Sequence, residues 1–262
     1  MYEKLKVDVR DDVAVLTLND PSTLNAAGLP LMADLTDAVD RIAAGDIVCR
    51  AVILTGEGRG FCSGANLSGR NDGVVNEDRD SGAALESVYN PFVRKFRDLH
   101  VPVITAVNGP AAGVGASLAL MGDMIVASEE AYFMQAFRRI GLVPDGGSTW
   151  MLPRMIGKAR AMELMLLGDR LPAPKALDWG LINRCVPAGE LMETAMNLAS
   201  ELAKGPASLG MIRALVWASL DSTHDEQLDA ERWMQREAGR TDDAIEGVKA
   251  FLEKRPAQFT GR

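Results

Sequence analysis

A chain of 262 residues with 47% hydrophobic side chains is long enough for one large domain, or a domain with an appendage, around a substantial core. Its formal net charge of -8 argues against nucleic acid or an anionic membrane as the main partner. No apolar run reaches the roughly 18 residues of a membrane span. The start, MYEKLKVDVRDD, lacks the apolar centre of a signal peptide. The cysteines, Cys49, Cys62 and Cys185, are scattered. They fit reduced thiols in a cytoplasmic protein and form no metal pattern.

In chain order, residues 4–19 read as a hairpin: Val7 and Val9 alternate with charges, Arg10-Asp11-Asp12 turns, and Val13, Val15, Leu16 and Leu18 return. Leu31, Leu35, Ala38, Val39 and Ile42 recur at helical spacing, which predicts an amphipathic helix over residues 30–44. Residues 51–55 are a buried strand that runs into a glycine-rich exit ending in Phe61-Cys62-Ser63-Gly64-Ala65-Asn66. Residues 69–90 are polar and read as a mobile loop or poorly ordered helix. Residues 91–99 look helical, with Phe92, Phe96 and Leu99 on one face. The chain then reads VPVITAVNGPAAGVGASLALMGD over 101–123: a β-branched strand, a break at Asn108-Gly109-Pro110, and a helix over 116–121. Short strands follow at 124–127 and 132–134. The loop IGLVPDGGSTW at 140–150 then feeds a helix. Helices are expected at 158–167, 174–179, 190–203, 209–220, 226–240 and 242–254, with a brief strand at 183–186. Met162, Met165, Leu166 and Leu167 read as core. The order, β/α units first and helices last, gives an α/β class.

The stretch 101–123 is the one the rest is arranged around. A strand that ends in a glycine-rich turn opening onto a helix leaves backbone N–H groups unpaired, with the positive end of the helix dipole behind them. Such a place suits an anion or a developing oxyanion. A phosphate loop would need a lysine, which is absent here, and the spacing of Gly109, Gly113 and Gly115 is not that of a dinucleotide fingerprint. Close packing of a helix on a strand is the plainer alternative.

Gly64-Ala65-Asn66 and Gly113-Val114-Gly115, together with Gly141-Leu142-Val143-Pro144-Asp145-Gly146-Gly147, resemble the crotonase (enoyl-CoA hydratase/isomerase) family. The resemblance runs over essentially the whole chain, through Asn25-Ala26, Asn108-Gly-Pro-Ala-Ala-Gly, Trp179-Gly180-Leu181-Ile182 and the ending Phe251-Leu-Glu-Lys-Arg. It implies a spiral of ββα units over 1–200 and a helical C-terminal trimerisation region over 201–262, assembled as a homotrimer or a hexamer made of two trimers. It also implies an acyl-CoA substrate, with coenzyme A part of the substrate and neither cofactor nor metal required. By position, the N–H groups of Ala65 and Val114 resemble the family's oxyanion donors. Asn66, Leu67 and Phe137 would line the substrate site, and Lys254 resembles a lysine that reaches a neighbour's CoA phosphate. The two glutamates of the family's hydratases fall on Ser117 and Phe137, neither of which can act as a carboxylate base. Asp145 remains, at a position where isomerases of the family keep an acid. Its plainer role is that of a turn residue in Pro-Asp-Gly-Gly. Phe137, Leu142 and Trp150 are expected to form an apolar surrounding that strengthens it as a base. The branch most similar in sequence rearranges ring-epoxidised phenylacetyl-CoA, with 3-to-2-enoyl-CoA isomerisation as a companion activity.

Four alternatives compete. Hydration would lack its glutamates. A haloaryl-CoA dehalogenase would need a histidine near residue 90 and a tryptophan near 137, where Tyr89-Asn90 and Phe137 stand. A serine hydrolase would pair Ser117 with His100 or His224. A CoA-binding protein without turnover would have no need of Asp145.

Overall fold

The computed structural model describes residues 2–66 and 80–262. Strands β1 (Leu5–Arg10) and β2 (Val13–Leu18) form the expected hairpin, Leu5 opposite Leu18, around a two-residue turn in which Asp11 and Asp12 both take positive φ. Helix α1 (Leu29–Ala44) packs its stripe Leu31, Leu35, Ala38, Val39 and Ile42 inward. Strand β3 (Ala51–Gly56) pairs parallel to β2. A π-turn at Leu85–Tyr89 leads into α2 (Asn90–Arg97), which buries Phe92 and Phe96. Helical structure therefore begins inside the segment expected to be a loop or poorly ordered helix. The remainder of that segment, through residue 79, lies outside the described residues, as does Leu67.

From here the chain alternates between two sheets. Strand β4 (Val103–Val107) joins the first sheet, β5 (Ala111–Ala112) the second, β6 (Met124–Ser128) the first and β7 (Tyr132–Met134) the second. Between β5 and β6 lies α3 (Val114–Ala119). Helix α4 (Ser148–Leu167) is followed by β8 (Leu171–Pro172), α5 (Ala173–Asp178) and β9 (Arg184–Val186). The first sheet runs β1-β2-β3-β4-β6-β9, parallel beyond the hairpin; the second runs β5-β7-β8. This is the ββα spiral, and the helical C-terminal region expected to follow it is present. Strands β3 and β4 are buried from end to end apart from Gly56. That explains why they read as continuous apolar runs without alternation.

Helix α4 departs from expectation in two ways. It starts ten residues early and continues across Gly157, whose φ of 77° breaks the helical path. Beyond Gly157 its buried residues are Ala161 and Leu164, which leaves Met162, Leu166 and Leu167 exposed at 44%, 60% and 50%. Met162, Leu166 and Leu167 thus lie outside the core expected of this apolar run, because only one face of the helix reaches it.

The C-terminal helices α6 (Leu191–Ala203), α7 (Ser208–Ser219), α8 (His224–Ala238) and α9 (Asp242–Glu253) close the chain. Thr223 caps α8 through a reciprocal capping box with Glu226. Arg213 anchors α7 to the core. Its buried guanidinium meets Asp123 at 2.7 Å and donates to the carbonyls of Phe96, Arg97 and Leu99. The last residues are held by Asp243, 2% exposed, which accepts from the N–H groups of Ala207, Thr260 and Gly261 at 2.6–2.9 Å. Burial alone would raise the Asp243 pKa, but these three donors and Arg50 outweigh it and hold the carboxyl below its ordinary value. A depressed folded-state pKa stabilises fully above the ordinary carboxylate range, and the contribution is lost as pH falls through the lowered value. Limited proteolysis should therefore find residues 255–262 protected at neutral pH and released only below the usual aspartate range.

Candidate active site

The floor of the site is laid by backbone pairing. Cys62 bridges in parallel to Ala111, with Ala112 N–H donating to Cys62 O at 2.9 Å and Cys62 N–H to Pro110 O at 3.0 Å. That pairing runs the two glycine-rich exits, at Gly64 and Gly113, alongside one another. Gly64 confirms the approach: a Cβ there would lie 2.9 Å from the Ala112 carbonyl, so the two segments touch only because residue 64 has none. On the other side, Ala27 N–H donates to Gly64 O at 2.7 Å, and Gly28 abuts Asn66.

Gly113 N–H donates to Met134 O at 2.9 Å, tying this turn to β7. With φ 53° and ψ -129°, Gly113 then swings the chain into α3, so that Val114 is its first residue. The helix thus starts two residues earlier than expected, because glycines that read as turn sit inside its first turn. The Val114 N–H has no acceptor within its own helix. Among the described residues neither the Ala65 nor the Val114 N–H is hydrogen-bonded to another group.

Gly115 fixes the height of α3. A Cβ there would collide with the Cys62 carbonyl. Gly115→Ala should push α3, and the Val114 N–H with it, off the floor. Misplacement of this kind costs about a hundredfold in turnover, measurable as a fall in kcat against an unchanged circular-dichroism spectrum. Cys62 is buried, and desolvation pushes its thiol up to about 11, with partial offset from the Gly64 and Ala27 backbones. It packs and does not attack.

Asp145 stands on the loop between a short 3-10 turn (Ala136–Ile140) and α4. Gly146 and Gly147, at φ 60° and 82°, make a turn that side chains with a Cβ rarely adopt. The Asp145 carbonyl accepts from Ser148 N–H at 3.2 Å, Ser148 Oγ at 2.9 Å and Ser117 Oγ at 2.8 Å. The residue is half-buried, with Oδ1 shut off from solvent.

Phe137, 8% exposed, brings its ring tip against Gly113 and so faces the turn before Val114. The other two residues expected around Asp145 are less enclosed. Leu142 is 42% exposed, and Trp150 stacks on Trp217 at 6.0 Å and donates to Asp221. Lys254 is exposed at the left-handed cap of α9. His100 and His224 are exposed, whereas Ser117 is fully buried with backbone carbonyls as its partners, so the serine-hydrolase arrangement is not formed. The contacts that composition could not reveal are those of Ser117 and Ser148 to the Asp145 loop. A cavity of about 730 Å³ lies elsewhere, between residues 97–102 and the C-terminal helices. Among the described residues no cluster of His, Cys, Asp and Glu could hold a metal ion, and no helix is long and apolar enough to cross a membrane.

The sequence profile described as enoyl-CoA hydratase/isomerase matches residues 8–262. The chain belongs to the crotonase family. It is 46% identical to the 1,2-epoxyphenylacetyl-CoA isomerase of Escherichia coli (strain K12) over the whole of both chains. It is 41% identical to a Rhodobacter capsulatus protein named "Probable enoyl-CoA hydratase", covering all of this chain and 99% of that one. Among solved structures, an enoyl-CoA hydratase/isomerase from Cupriavidus metallidurans CH34 superposes with a TM-score of 0.89 at 32% identity, covering 100% of this chain and 97% of that one. The crotonase fold and enzyme class expected from the sequence therefore stand.

Proposed function

We propose that this crotonase is an acyl-CoA isomerase with one carboxylate base, Asp145, and an oxyanion hole made by the Ala65 and Val114 N–H groups. Asp145 removes a proton from the carbon next to the thioester. The C–H electrons move into the conjugated system, and the thioester oxygen carries the charge against the two N–H groups. Each such donor contributes about 3–4 kcal/mol of barrier lowering. Asp145 then returns the proton further along the chain, so a 3-enoyl thioester becomes a 2-enoyl thioester with no water consumed. The same (di)enolate serves ring rearrangement of 1,2-epoxyphenylacetyl-CoA, the substrate named for the Escherichia coli relative. The acyl-CoA supplies its own coenzyme A, and the chemistry calls for neither metal nor cofactor. Asn66, Leu67, Phe137 and, from a neighbouring subunit, Lys254 would contact the substrate.

The observation that carries this reading is what surrounds Ser117. The hydratases the family contains need glutamates at the positions of Ser117 and Phe137. Here the Asp145–Gly146 turn lies directly on Ser117, its carbonyl 2.8 Å from the hydroxyl. A glutamate would have to displace the turn, and an apolar ring at residue 137 disfavours the water that hydration needs. Hydration, suggested by the name of the Rhodobacter relative, lacks its bases. The test is to give the purified protein 3-hexenoyl-CoA, 1,2-epoxyphenylacetyl-CoA and crotonyl-CoA separately. The expected products are the 2-enoyl thioester and the rearranged ring, with no mass gain of water on crotonyl-CoA. Rapid hydration of crotonyl-CoA would refute the reading.

A homotrimer, or two stacked trimers, fits the apolar residues left exposed on the C-terminal helices, among them Ile212, Val216, Trp233, Val248 and Phe251. Light scattering after size exclusion reads it directly.

A further inference from the structure

The buried hydroxyl of Ser117 is aimed out of its own helix. A serine inside a helix ordinarily bonds back to the carbonyl four residues earlier. For Ser117 that carbonyl is Gly113, and the separation is 3.5 Å; the Asp145 carbonyl is at 2.8 Å. The shorter bond wins, and Ser117 has no solvent exposure. The loop presses equally hard from its side. A Cβ on Gly146 would stand 2.7 Å from the Ser117 Cβ and 3.3 Å from the Val114 side chain. From the far end, Ser148 grips the same carbonyl with both its N–H and its hydroxyl. The Asp145 carbonyl thus takes donors from two helices, α3 and α4.

Val114 and Ser117 are one helical turn apart, a rise of about 4.5 Å. The helix that begins with the Val114 N–H therefore also bolts down the loop that carries Asp145. Resting on the reading of Asp145 as base and Val114 as oxyanion donor, we propose that Ser117 is a positioning residue for the isomerisation. Its hydroxyl sets the separation between the base and the enolate oxygen, and it does so without touching substrate. Ser148 holds the loop's other end and keeps it folded when Ser117 is changed.

The test is a double-mutant cycle on 3-hexenoyl-CoA isomerisation with Ser117→Ala, Asp145→Asn and the pair together, each checked by thermal melting. Ser117→Ala should lower kcat about tenfold with KM within about twofold, the signature of lost positioning. Ser117→Thr, which keeps the hydroxyl, should recover most of that loss. In the Asp145→Asn background Ser117→Ala should cost nothing further, because there is no longer a base to position. Wild-type kcat in Ser117→Ala, or the same tenfold loss on top of Asp145→Asn, would overturn the inference while leaving Asp145 as the base. Asp145→Asn at wild-type rate would overturn the base assignment and this inference with it. Should the alanine variant not fold, Ser117→Thr against Ser117→Cys carries the test: threonine is expected near wild type and the poor thiol donor slowed, and equal rates would overturn the proposal.

Discussion

Asp145→Asn is expected to lower kcat for 3-enoyl-CoA isomerisation by about a thousandfold, within the range that general acid–base catalysis contributes. Affinity for the thioester should stay within about twofold, because the amide keeps the volume and the backbone contacts of the loop. Those contacts run through the carbonyl of residue 145, not its side chain: Ser117 and Ser148 donate to it whatever the side chain is. The substitution therefore separates chemistry from architecture. Asp145→Glu makes a complementary probe. It restores a carboxylate but advances it by one methylene, a displacement that costs about a hundredfold when geometry is held this tightly. Steady-state kinetics with an analogue titration measures both.

The second large effect concerns stability. Arg213 is 5% exposed and joins α7 to three carbonyls at the end of α2 and to Asp123. Asp123 in turn accepts from Val103 N–H at 2.8 Å, at the start of β4, and from Trp217 at 3.2 Å. Removing the guanidinium leaves several buried acceptors without a donor and Asp123 without its cation. Breaking a buried pair from one side costs about 3–5 kcal/mol. The lower end applies here, since the Asp123 side chain retains 23% exposure and water can reach it. Arg213→Ala should therefore lose about 3 kcal/mol in urea unfolding followed by tryptophan fluorescence. Trp217 reports directly on the contact. Arg213→Met should recover only the packing part, because methionine fills volume but donates nothing.

Much of the architecture was legible in the sequence for simple reasons. Strands β3 and β4 are buried on both faces and so appear as apolar runs. Helix α1 is buried on one face and so appears as a stripe at helical spacing. The parts that were not legible are those whose cause is non-local. The two-residue strand β5 exists only because Cys62 and Met134 lie on either side of it. The early start of α3 depends on Gly113 taking a conformation that its neighbours β5 and β7 impose. The same holds at the site. Glycine-rich strand exits at 64 and 113 marked where bare backbone would be presented, but only the Cys62–Ala111 register puts the two exits side by side. Asp145 in Pro-Asp-Gly-Gly reads equally well as a turn residue, and in the structure it is one. What sets it apart is the serine of another helix on its carbonyl, a contact between residues 28 positions apart. Trp150 stacks on Trp217, a pairing across 67 positions that no local pattern announces.

The central claim is that one aspartate moves one proton along an enolised thioester. Proton NMR of the wild-type protein with 3-hexenoyl-CoA in deuterium oxide tests it most directly. The account predicts migration of the double bond to the 2-position, deuterium entering at C2 and C4 as the Asp145 carboxyl exchanges its proton with solvent, and loss of both signals in Asp145→Asn. Double-bond migration that survives in Asp145→Asn, or a 3-hydroxyacyl product in its place, would contradict it.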